Sequence, residues 1–170
     1  MRPVRQATES EVWEHWKRIE NHTSPDFRSD IRDPLPKDLT WLICEIEPHD
    51  IDQLFIISSD DWSDISGGTF RVADVASRLD FPSSNKDTLR IASDINKKLN
   101  FIDTGGYLDS QLVSITDSSA LTGPFTILEG NRRCVTFFLR GVLVGISIFV
   151  GYSSGVAKCV WARHTYRHSL

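Results

Sequence analysis

The sequence predicts a single α+β domain, and three observations predict it. The chain has 170 residues, enough for one real core and too few for two comfortable ones. Short β-prone runs at 41–46, 111–115 and 125–128 are interleaved with amphipathic helical stretches at 8–20 and 87–99. At residues 123–141 a Gly-Pro turn, a β-prone run and a polar knot pass directly into helical spacing, with Cys134, Phe137 and Phe138 on one side.

The first helix spans 8–20: Thr8 and Glu11 have capping-box spacing, and Val12, Trp13, Trp16 and Ile19 form an apolar stripe. Residues 21–37 hold Pro25, Pro34 and Pro36 among alternating charges and read as an irregular arm. After the strand at 41–46, Pro48 and 49–54 start a short helix, and 55–58 fits either a strand or that helix's end. Gly67-Gly68 marks a tight turn, and 72–79 has helical spacing through Val75 and Leu79. In the helix at 87–99, Leu89, Ile91, Ile95 and Leu99 face one side, with lysines and aspartates on the other. Residues 142–152 read as a buried strand and 158–161 as a last ordered piece, while the basic tail from 163 onward is expected to fray.

The bulk properties exclude several classes. A net charge of −4 and a pI near 5.7 argue against nucleic acid as a partner. No apolar run reaches the roughly 20 residues that cross a bilayer, so no membrane partner is expected. The polar start gives no signal-peptide core, and a cytoplasmic location follows. Cys44, Cys134 and Cys159 are sparse and unpaired by spacing, and the five histidines show no HxH or HExxH pattern, so no structural metal is expected.

Chemistry concentrates at Glu129-Gly130-Asn131-Arg132-Arg133. A strand that turns into a helix leaves the first helical N–H groups unpaired. Gly130 lets the backbone approach a ligand, and Arg132 and Arg133 supply forked donors, so the turn reads as a phosphate site. Positive charge at a helix N-terminus is unfavourable until an anion binds, which weighs against two merely solvated arginines. Glu129 orders the arginines, holds Mg²⁺ or takes a proton from an attacking hydroxyl, or else it simply caps the turn and balances charge. Asp60, Asp61 and Asp64 form an acidic cluster that reads as a capped, solvated loop or as a cation site.

This succession of strand, acidic-Gly-x-x-Arg turn, helix and strand resembles the ParB/sulfiredoxin superfamily. The likeness covers 111–152 by motif and 41–58 by position. It implies a small domain with a mixed sheet and flanking helices over 41–162, preceded by a helix and arm at 1–40 and followed by a tail at 163–170. In that superfamily such a turn holds nucleotide phosphates. Glu129 takes the acidic position, Gly130 the glycine and Arg133 the final arginine, while Asn131 replaces the glutamate of the ParB version. Arg132 matches ParB proteins, where sulfiredoxins and free-serine kinases carry histidine. Sulfiredoxins place a reactive cysteine immediately before that pair. Here Cys134 follows it, which counts against sulfiredoxin chemistry.

The resemblance implies ATP or another nucleotide with Mg²⁺, bound through Gly130, Asn131, Arg132 and Arg133. The reaction it implies is phosphoryl transfer to a small hydroxylated acceptor, with Glu129 and Glu45 (or its neighbour Glu47) as catalytic carboxylates. The strand position of Glu45 matches the catalytic acid of the free-serine kinases, although a carboxylate on a strand is more often on its solvent face. The alternatives are a nucleotide-gated binding module related to the partition proteins, or a nuclease-like relative.

Overall fold

The chain opens with a strand that its polarity conceals. In the computed structural model, which describes residues 1–24 and 26–166, β1 (Arg2–Ala7) is exposed over its first five residues. It therefore lacks the apolar alternation that would reveal a strand in sequence. Pro3 and a register shift between Pro3 and Arg5 blunt this outer edge against further pairing. Just before it, the buried Met1 ammonium donates to Asp50 and to the Leu121 carbonyl, each at 2.8 Å.

The other strands are β2 (Thr40–Glu45), β3 (Leu54–Ile56), β4 (Leu112–Thr116), β5 (Phe125–Glu129) and β6 (Ser147–Tyr152). They form one mixed sheet in the order β1-β2-β6-β4-β5-β3. Antiparallel pairs join β1 to β2, β2 to β6 and β4 to β5, and parallel pairs join β4 to β6 and β3 to β5. With the helices flanking this sheet, the α+β expectation holds. Every residue of β4 and β5 is buried, as central strands covered on both faces must be.

The helices are α1 (Glu9–Ile19), α2 (Ser29–Arg32), α3 (Val72–Ser77), α4 (Lys86–Asp103) and α5 (Asn131–Leu139). Thr8 and Glu11 close the expected capping box on α1, and Val12 and Trp16 are almost completely buried beneath it. Asn85 caps α4 by accepting from the Asp87 and Thr88 amides. Helices α3 and α4 both pack on α5.

Several expectations are corrected. The arm at 21–37 is packed down through buried Phe27, Ile31 and Leu35, and it contains α2. Leu89 points to solvent, because the inward face of α4 runs through Thr88, Ile91 and Ile95. The last strand begins only at Ser147, since Gly141 and Gly145 adopt positive φ and leave Val142 and Val144 exposed. The tail is docked as far as the described residues go. Thr165 hydrogen-bonds Thr126 of β5 at 2.7 Å, and the Tyr166 hydroxyl donates to Asp117 at 2.9 Å. His168 lies outside the described residues.

Candidate functional site

The Gly130 turn opens onto a cavity of about 680 Å³. The cavity is floored by the N-terminus of α5 and walled by α4 and by the end of α1 with α2. Partly exposed Trp161 supplies its aromatic surface, with Trp16 and Trp62 buried behind the lining. No side chain caps α5, so the amides of its first turn have no partner within the helix and lie at the cavity.

Gly130 sits at φ +86, and a Cβ there would lie 2.5 Å from Leu112 Cδ2 and 3.1 Å from Arg133 Nη2. The glycine thus makes room for the protein's own Leu112 and Arg133. Asn131 is committed to the fold, since its Oδ1 accepts from the Ile57 amide at 3.0 Å and its Nδ2 donates to the Leu128 carbonyl at 3.3 Å. It clasps the end of β3 to the end of β5, leaving its backbone N–H and the second Nδ2 proton for a ligand.

The arginines behave differently from each other. Arg133, expected with Arg132 to clamp phosphate, is buried and spends its fork internally. One Nη donates to Glu129, and the other donates to the Asp109 carbonyl and lies 3.6 Å from the Asp109 carboxylate. Arg132 keeps a third of its side chain exposed and faces the cavity. Its Nε lies 3.4 Å from Asp94 Oδ2, yet it is buried without a hydrogen-bond acceptor. The carboxylates of Glu129, Asp94 and Asp109 offset much of the charge that two arginines bring to the positive end of a helix dipole.

Glu129 is buried against Arg133, and its carboxyl is held above the usual range by desolvation, with Arg133 pulling it back. Glu45 is not brought to the site. It lies on β2, paired with Arg2 of β1, three strands across the sheet from Glu129, or about 14 Å at the usual strand spacing. Neither Glu45 nor Glu47 lines the cavity.

Four contributors were hidden in the sequence. Arg90, Asp94 and Lys98 recur every fourth residue on α4 and line the cavity. Arg28 reaches it from the approach to α2, in a left-handed backbone conformation at φ 52. The only available signal was a charged stripe on α4, which has the same spacing as an ordinary solvent face.

Most of these cations already have carboxylate partners: Arg28 with Glu20, Arg90 with Asp61 and Asp87, Arg132 with Asp94, and Arg133 with Glu129. Lys98 is different. It is half-buried, and among the described residues no hydrogen bond or ion pair reaches its ammonium.

The acidic loop does not close on itself. Asp60 pairs with Arg163, Asp61 accepts from Ser59, and Asp64 accepts from Ser83 and Thr88, whose hydrogen bonds hold its carboxyl below the usual range. A Glu47, His49 and Asp50 group has metal-like spacing, but Asp50 already accepts from Met1 and from the Glu47 amide. Cys134 is fully buried, and burial pushes its thiol up to about 12.

No family model, curated protein or solved structure matches this chain. Among the described residues, no helix is long and apolar enough to cross a membrane.

Proposed function

We propose that the cavity binds a nucleoside phosphate and that the protein transfers its phosphoryl group to a small hydroxylated molecule. One observation carries the binding half: Arg132 and unpartnered Lys98 face a cavity floored by the uncapped N-terminus of α5. Phosphate oxygens would complete the hydrogen bonding of Arg132 Nε and give Lys98 a counter-charge. Trp161 offers apolar surface for a base. Of the expected contacts, Arg132 and the backbone amides near Gly130 and Asn131 remain as direct ones. Arg133 and Glu129 act by holding the turn in shape. A nucleotide-borne Mg²⁺ needs few protein ligands, and Asp61 and Asp94 are carboxylates of the right type on the cavity wall. Three free buried thiols suit a reducing compartment such as the cytoplasm.

The kinase half has a specific competitor. With Glu45 remote and Glu129 tied to Arg133, neither expected base is free. That favours, as the second reading, a nucleotide-gated module without turnover.

A thermal-shift panel of ATP, ADP, CTP, GTP and pyrophosphate with Mg²⁺ tests both. A ligand at one hundred times its Kd adds about 2.7 kcal/mol, and so about 5–10 °C for a chain of this length. Arg132→Ala and Lys98→Met should each remove most of that shift. If no nucleotide stabilises the parent, both readings fail. If one does, phosphoryl transfer to hydroxylated acceptors, read by product mass, separates enzyme from module.

A further inference from the structure

We propose that Lys98 is an amine nucleophile that forms an imine with small aldehydes bearing a phosphate group. Its position carries the inference. The side chain sits half-buried on the cavity-facing stripe of α4, without a hydrogen bond or ion pair among the described residues. Its neighbour Lys97 is three-quarters exposed and lies 3.8 Å from Asp94, and Lys17 pairs with Glu14. Lys98 is therefore the desolvated, reachable amine of the cavity.

The charges around it come from three elements. Asp94 shares α4, Glu129 ends β5, and Arg132 and Arg133 open α5. Asp94 and Glu129 each already face an arginine, which weakens their hold on a third cation. Burial foremost, and then the two guanidinium groups, hold the Lys98 pKa below the ordinary lysine value against the pull of Asp94 and Glu129. A half-buried amine beside other cations carries more of its neutral, nucleophilic form at a given pH than an exposed lysine does.

The step balances without any oxidant or reductant. The neutral amine's lone pair forms a bond to the carbonyl carbon, and the C=O π pair moves to oxygen, which takes one of the amine's protons. The carbinolamine then loses that oxygen as water, the nitrogen lone pair closes the C=N bond, and the nitrogen's second proton makes up the water. The amine and aldehyde give only imine and water. Arg132 and the first amides of α5 would hold the substrate's phosphate. That preference, though not imine formation itself, rests on the phosphate-binding reading above.

The test uses the full chain with glycolaldehyde phosphate or uncharged glycolaldehyde, trapped with sodium cyanoborohydride and mapped by tandem mass spectrometry. The expected result is one dominant adduct, on Lys98, forming about tenfold faster with the phosphorylated aldehyde, the factor one charge-assisted contact supplies. Trapping should favour Lys98 over the exposed lysines most strongly near neutral pH, and the preference should fall as pH rises towards about 10.4, the ordinary lysine value, where exposed amines also lose their protons. Lys98→Arg, which keeps the charge, should lose the adduct, and Lys97→Arg should retain it. Adducts spread over Lys17 and Lys97 according to exposure, or unchanged in Lys98→Arg, would overturn the proposal even if nucleotides still stabilise the fold. Equal trapping of the two aldehydes at Lys98 would uphold the nucleophile and remove its phosphate preference.

Discussion

Arg133→Met should destabilise the protein by about 3–5 kcal/mol, the usual cost of stranding a charge by deleting its buried partner. Arg133 and Glu129 have side chains only 8% and 9% exposed, so water cannot replace the lost guanidinium. The Asp109 carbonyl loses its donor as well. For a chain of this length each kcal/mol moves Tm by about 2–4 °C, so a fall of about 6–20 °C is expected at pH 8. The pH dependence has a definite sign. The Glu129 carboxyl already sits above its free value of 4.5, and removing Arg133 raises it further. Between the unfolded and folded pKa values the native state then binds more protons than the unfolded state. The stability this group contributes is full below the unfolded value and is lost as pH rises through the folded one. The penalty of Arg133→Met should therefore shrink from pH 8 towards pH 5, and adding Glu129→Gln should recover much of it. Urea unfolding followed by tryptophan fluorescence at both pH values measures all three. A loss below about 1 kcal/mol at pH 8, the scale of a solvated surface pair, would refute the buried-pair reasoning. So would a penalty that does not change with pH.

Gly130→Ala places a side chain in left-handed backbone and drives a Cβ to 2.5 Å from Leu112 Cδ2. It should cost about 2–3 kcal/mol by thermal unfolding, strain and overpacking together, and a neutral result would show that the turn has no need of glycine. The thiols offer a second check. Burial pushes Cys44 up to about 11 and Cys134 up to about 12, and raises Cys159 as well. A disulfide reagent should leave all three unmodified in the native protein and titrate them in urea, whereas fast labelling of Cys134 without denaturant would show a reactive thiol at the turn.

Local pattern carried much of the fold. Helix α1 announced itself through Thr8, Glu11 and its apolar stripe, and α4 through Ile91 and Ile95. The passage from β5 through Gly130 into α5 could be read from a change of hydrophobic period. Strand β1 was illegible because an exposed edge strand shows no alternation. The docked tail was illegible because Thr165 and Tyr166 are buried by distant partners, Thr126 and Asp117.

The site divides along the same line. Residue type and spacing alone placed a glycine turn with two arginines at the start of a helix, since those are properties of neighbours in sequence. Which arginine faces the ligand was decided by residues far along the chain. Asp109 and buried Glu129 draw Arg133 inward, while Asp94 leaves Arg132 at the cavity. Lys98 and Glu45 exchanged importance for the same reason. Both are charged residues in amphipathic elements, and only packing determines whether such a charge meets solvent, a partner or an enclosed space.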